Sequence, residues 1–284
     1  MTNIFTFIKK KLSGFFIFGN LRRPVYPLKL NILYWKEDDG QDNVGDLLSK
    51  IIVERTIDYL ELKRNIRFGF RRLCAVGSVM SFVGSGKTTI WGSGLLTAES
   101  VKAIKDRVKN AVLDIRAVRG PLTHKTLIEA GVNSLSDISS IPYGDPAILM
   151  PLYYVPSIKK VKGKILIIPH HSRIDRYKDK YANVIDTYTS DWKGFIDEIA
   201  SSEKVISSSL HGIILAESYG IPAIMLNDYP GSRFKYDDYY QSTGRSDYPI
   251  VDVVEDGYSV DGDINRNLEV MQKRLLDSFP KDIV

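Results

Sequence analysis

The chain has 284 residues, 44% of them hydrophobic, which is enough apolar material for two domains of ordinary size, and its formal net charge is +5. Six basic residues lie within residues 1–30, which hold no acid, leaving 33 basic against 34 acidic residues in the rest of the protein. A near-neutral body lacks the basic stripe of a general nucleic-acid binder, and a single cysteine, Cys74, excludes an internal disulfide and fits a reducing compartment such as the cytoplasm.

The basic excess sits in an arm expected over residues 1–28. Ile4, Phe5, Ile8, Leu12, Phe15 and Phe16 recur at helical spacing, with Lys9, Lys10 and Lys11 largely off that stripe. The apolar run is too short to span a bilayer, and the charges fall in the middle rather than before an apolar core, unlike a secretory signal. Two readings fit: residues 1–24 as an interfacial helix on an anionic membrane surface at the inner face, or a helix packed on its own domain or a partner.

A first strand, "LKLNILYW", is followed by a polar loop and a helix from about Asp46. The strand "RLCAVGSV", a glycine loop and the strand "TTIWG" come next, then the basic amphipathic helix "AESVKAIKDRVKN" and the strand "AVLDIRAVRG". "VGSGKTT" ends like a phosphate-binding P-loop, yet two threonines, an isoleucine and a tryptophan follow the lysine where a helix should open, so it reads as a loop between strands. Pro121 opens another helix, which stops at Gly131. Past a linker near "PLYYVPSIKKVKG" come "KILIIPHH", the helix "DWKGFIDEIASSE", the block "KVISSSLHGIILAESYGIPAIML" and a last helix over 264–278. Strands alternating with helices in both halves predict an α/β protein with two parallel-sheet domains, over 29–155 and 156–284. In such folds ligands lie beyond the carboxyl ends of the strands, here in the cleft between the halves.

Polar residues at strand ends mark the candidate site. Ser207, Ser208, Ser209, His211 and Gly212 stand where a buried strand meets a helix N-terminus, which suits an anion, and His211 adds a group able to donate or accept a proton. Gly212 is expected to let a ligand approach the backbone. Arg119 follows a buried strand and is placed to fork onto a phosphate or carboxylate, with a salt bridge to a neighbouring helix as the alternative. Asn43, Asp46 and Asp145 fall at similar positions, Asp46 equally suiting an N-cap. "GSRFKYDDYY" reads as a loop whose Arg233 and Lys235 form a second anion clamp or a solvated basic surface. His170 and His171, adjacent on a strand end, are expected to point to opposite sides, and no paired-cysteine or HExxH pattern calls for a metal. Cys74, in an apolar run, is expected to be inert packing.

Together "NVGD", "WGSG", "VRGP", "GDPA" and above all "SSSLHGIILAESYGIPAI" resemble the polysaccharide pyruvyl transferase family, over roughly residues 30 to 245. The resemblance implies a GT-B-like fold of two Rossmann-like domains facing a deep cleft. It implies transfer of the enolpyruvyl carbons of phosphoenolpyruvate to a sugar of a surface polysaccharide or its lipid-linked precursor, forming a pyruvate ketal and releasing phosphate, with no cofactor. On that reading His211 is the general acid–base, with Asp46 or Asp145 as a second group. Arg119, Ser208, Ser209, Gly212, Arg233, Lys235 and Asn43 would then bind substrate. The family often has arginine where this chain has Ser209, so one phosphate contact is absent or comes from Arg233 or Lys235. Two other expectations are a GT-B glycosyltransferase using a nucleotide sugar, and a non-catalytic nucleotide-binding protein at a membrane surface with "SGKTT" as its phosphate loop.

Overall fold

The computed structural model describes residues 22–25, 30–36, 41–62, 71–83, 86–107, 111–229 and 231–284. The chain is an α/β protein with two sheets. The first has the order β1-β2-β3-β4-β5, formed by Arg22–Val25, Leu30–Leu33, Arg71–Cys74, Gly86–Trp91 and Ala111–Ala117. Strands β2 to β5 are parallel, and β1 pairs antiparallel with β2, setting Arg22 beside Leu33 and Val25 beside Leu30. The second sheet, β6-β7-β8-β9, is parallel and comprises Ile165–Ile168, Lys204–Ser207, Ala223–Leu226 and Ile250–Val251. Both sheets run in sequence order. Neither shows, among its described strands, the order reversal that makes a switch point in a doubly wound sheet. Of the arm expected over 1–28, Arg22–Val25 is an edge strand; residues 1–21 lie outside the described residues.

The short parallel strands are buried on both faces, as their runs of β-branched and leucine residues require: Leu166, Ile168, Val205, Ile206, Ala223, Ile224 and Met225 are fully buried. Helix α1 (Val44–Tyr59) presents Leu48, Ile52 and Ile57 to the main core. That core is continuous across the halves, taking Leu30, Ile32 and Trp91 from the first and Leu166, Ile213 and Tyr239 from the second. The chain end returns to the first half: Trp91 Nε1 donates to the carbonyl of Leu275 at 3.0 Å, and Trp91 and Phe279 pack edge to face. Lys87 and Thr88 lie within strand β4, where Lys87 is 3.8 Å from Asp114, so no helix follows "SGK" to hold a phosphate. Cys74 is fully buried, and burial pushes its thiol up to about 12, the inert state expected of it.

Two features differ from the pattern reading. Residues Phe234–Ser242, read as a basic loop, form a helix, numbered α7 below, because Tyr236, Tyr239 and Tyr240 recur one turn apart and all three are fully buried. Five aromatics and aspartates in a row hide that period. Arg119, expected to fork onto a ligand, is fully buried with its guanidinium occupied. Its Nε donates to Asp238 Oδ2 of α7 at 3.0 Å, one Nη to Ser78 Oγ at 2.8 Å and the other to the Leu95 carbonyl at 2.5 Å. Asp238 in turn accepts from the backbone and hydroxyl of Thr123, in the first turn of helix α3 (Pro121–Glu129). This is the salt-bridge alternative, and it ties the second half of the chain to the first.

Removing one partner leaves the other charge buried and unpaired. Asp238→Ala and Arg119→Ala are each expected to lower unfolding free energy by about 3–5 kcal/mol. Urea titration of each variant checks this, and a loss below about 1 kcal/mol would refute the brace.

Candidate functional site

A cleft of 270 Å³ opens where the carboxyl ends of the two sheets meet. Trp35 reaches it from beyond β2, Gly77 and Ser78 from beyond β3, and Leu96 from beyond β4; His170, Ser209 and Tyr229 reach it from beyond β6, β7 and β8. The cleft lies where sheet topology predicts a ligand.

His211 enters it from the first turn of helix α6 (Leu210–Ser218), whose N-cap, Ser209, accepts from the backbone of Gly212. The imidazole lies against Gly45 in α1, where an added Cβ would stand 2.1 Å from His211 Nδ1. Gly45 is therefore the seat of the ring, and a side chain there would expel it. His211 Nε2 is buried without a hydrogen bond, 3.8 Å from Asp145 Oδ2. Asp145 is fully buried and held by the backbone N–H groups of Ala147 at 3.0 Å and Gly77 at 3.4 Å. It stands behind His211 and is not among the residues that line the cleft. Asp46, one residue from the glycine seat, lines the cleft itself. Asn43 caps α1 by accepting from Gly45 at 3.0 Å, and its amide donates to Thr187 of the second half at 3.3 Å.

The second half of the chain adds a cation to the cleft. Lys235, on α7, is 8% exposed and lines the cleft, its Nζ 3.7 Å from the centroid of Tyr229 and 5.0 Å from that of Tyr236. No carboxylate among the described residues forms an ion pair with it. Burial, reinforced by the Arg119 charge and partly opposed by Asp46, pushes its ammonium down to about 7. His170 and His171 both line the cleft, with ring centroids 4.0 Å apart, against the expectation that they diverge. Strand β6 ends at Ile168, so strand alternation no longer applies to them, and His170 caps a 3-10 turn. Burial, with the His171 ring and the Lys235 and Arg173 charges nearby, pushes His170 down to about 3, so it is neutral at physiological pH. Its Nδ1 accepts from the backbone of Ser172 at 3.3 Å, which puts the proton on Nε2.

The remaining predicted residues divide. Ser209 lines the cleft. Ser208 is fully buried, and its Oγ accepts from the His170 backbone at 2.9 Å, so it positions His170 and does not face a ligand. Gly212 makes room for protein, since a Cβ there would come 2.6 Å from Ser207 Oγ; the expected ligand approach is corrected. Arg233 is partly exposed and bonds to the Tyr248 hydroxyl at 3.0 Å and to Asp237 at 3.5 Å, outside the cleft lining. Lys235 is thus the one member of the expected pair in the cleft. The sequence reading missed His170, His171, Tyr229 and Ser78 as site residues; "PHHS" was the available signal.

A family model described as polysaccharide pyruvyl transferase matches residues 43–228, well over half of the chain. The chain is also 30% identical over 211 residues to an uncharacterized protein of Acanthamoeba polyphaga mimivirus, covering 69% of this chain and 67% of that protein. No solved structure matches it.

A bound dianion would restore the charge on Lys235, so anion binding should take up a proton wherever the free lysine is neutral. Sulfate, which does not titrate in this range, should stabilise the protein at pH 6 and progressively less above pH 7, with affinity falling by up to about tenfold per pH unit. Lys235→Met should remove both the stabilisation and its pH dependence in thermal unfolding. A sulfate effect unchanged between pH 6 and 9 would count against the assignment.

Proposed function

The chain belongs to the polysaccharide pyruvyl transferase family, and on that premise we propose that it transfers the enolpyruvyl carbons of phosphoenolpyruvate to two hydroxyls of a sugar. The product is a pyruvate ketal and the leaving group is inorganic phosphate. The observation that carries the reading is the pairing, in one cleft, of a buried lysine that forms no salt bridge among the described residues and a histidine seated on glycine and backed by a buried aspartate. Phosphoenolpyruvate is a small polyanion. Lys235, the neutral N–H of His170 and the helix end at Ser209 supply cation and donors for it, and Lys235 stands in for the arginine that often precedes Leu-His-Gly.

The chemistry needs a proton delivered to the methylene carbon of the enol and protons taken from two hydroxyls. Protonation at that carbon makes C2 electrophilic, and the first hydroxyl oxygen bonds to C2. The second hydroxyl then bonds to the same carbon as the C2–oxygen bond to phosphate breaks. Of the two hydroxyl protons released, one balances the new methyl group and one leaves with phosphate. His211 is the acid–base group, Asp145 stands behind its imidazole at 3.8 Å, and Asp46 is placed to accept a proton from a hydroxyl. Lys235 and His170 Nε2 stabilise charge on the departing phosphate. The acceptor is expected to be lipid-linked, with residues 1–21 attaching the protein to an anionic membrane surface. Among the described residues no helix is long and apolar enough to cross a membrane.

Phosphoenolpyruvate at 100 times its dissociation constant should stabilise the fold by about 2.7 kcal/mol, whereas uridine and guanosine diphosphates should not. A shift with a nucleoside diphosphate alone would instead support a glycosyltransferase. His211→Ala should keep the phosphoenolpyruvate shift and lower turnover by about 10²–10⁴-fold. Near-normal turnover in that folded variant would remove His211 from the acid–base role. Deleting residues 1–21 should abolish co-sedimentation with anionic liposomes, and equal soluble fractions for both proteins would end the membrane proposal.

A further inference from the structure

The cleft has a third kind of surface that an acidic donor does not use. On the wall built by the first half, Trp35, Val79, Phe82 and Leu96 all line the cavity. Trp35 and Phe82 pack with ring centroids 5.5 Å apart at 37°, and both are anchored from below on the second core cluster. Neither ring is fully buried, and Leu96 is 39% exposed. These residues follow β2, β3 and β4, whereas His170, Ser209 and Lys235 follow β6, β7 and β8.

We propose that the Trp35–Phe82 wall is the acceptor subsite and takes the apolar C–H face of a pyranose ring. This rests on the transferase reading above. A pyranose has one face of axial C–H bonds and a rim of hydroxyls, so it calls for an aromatic plane bordered by hydrogen-bonding groups. Aromatic side chains offer a large apolar surface with restricted geometry. Asp46 and the Asn43–Thr187 pair line the same cavity and supply the polar border. A ring held on that wall turns its hydroxyls toward Asp46 and His211, the groups that must take their protons. The two substrates then approach the reacting groups from opposite walls, donor phosphate from the Lys235 side and sugar from the Trp35 side.

The test uses the full chain and saturation-transfer NMR with methyl glucopyranoside, galactopyranoside and mannopyranoside, each with and without phosphoenolpyruvate, and uridine diphosphate as a comparison. At least one pyranoside should receive saturation at its ring C–H protons. That signal should fall about fivefold or more in Trp35→Leu and measurably in Leu96→Gln. Leucine retains apolar packing on the core, and the Leu96 change is at a partly exposed position, so melting curves of both variants should stay near wild type. The phosphoenolpyruvate-induced thermal shift should be unchanged in both. No contact with any of the three sugars, contact undiminished in both variants, or Trp35-dependent contact with uridine diphosphate in place of sugar would each overturn the subsite. Trp35-dependent sugar contact without a phosphoenolpyruvate shift would instead overturn the donor assignment and leave the sugar wall standing.

Discussion

The Arg119–Asp238 pair holds the two walls of the cleft in one arrangement. It is a charge pair at zero exposure, and its guanidinium also bonds to Ser78 and to the Leu95 carbonyl on loops that border the cavity. Asp238 is three residues from Lys235 on α7, so the helix that presents the cleft's cation is fixed by the same carboxylate that caps α3. Desolvating both charges is costly, and the further hydrogen bonds offset that cost by leaving few polar atoms unmatched. The pair ties α7 to the loops after β3 and β4 across the two halves.

Within that frame the chemistry is set by close approach. The imidazole of His211 occupies the space a Gly45 side chain would need, and its buried nitrogen faces a carboxylate immobilised by two backbone donors. His211, Gly45 and Asp145 come from α6, α1 and the turn before Pro146, drawn from both halves of the chain. On the proposed reading, acid–base competence depends on the halves being docked.

Much of this was legible in the sequence, and the failures have physical causes. The alternation of strands and helices, the position of the cleft and the places of His211, Ser209, Asp46 and Asn43 all follow from patterning and strand-end logic. The sequential strand order does not, because pairing partners are chosen by three-dimensional packing that leaves no periodic mark. Helix α7 was hidden by a run in which tyrosines bury rings while neighbouring aspartates and Lys235 are polar. Arg119 and Gly212 were read for what they offer a ligand, yet both positions are taken by protein: Asp238 in one case, Ser207 in the other. A residue type shows which interactions it can make, and only the neighbours show which of them it has already made.

Edge strand β1 carries one more consequence. It runs antiparallel to β2, so Arg22 lies beside Leu33 at the carboxyl end of the sheet, two residues before Trp35. Arg22 thus stands at the sheet end that borders the cleft, and anything bound next to it would sit on the side of the cleft opening. A surface bearing the acceptor would then raise its effective concentration at the opening by tethering alone, with no added contact inside the cleft.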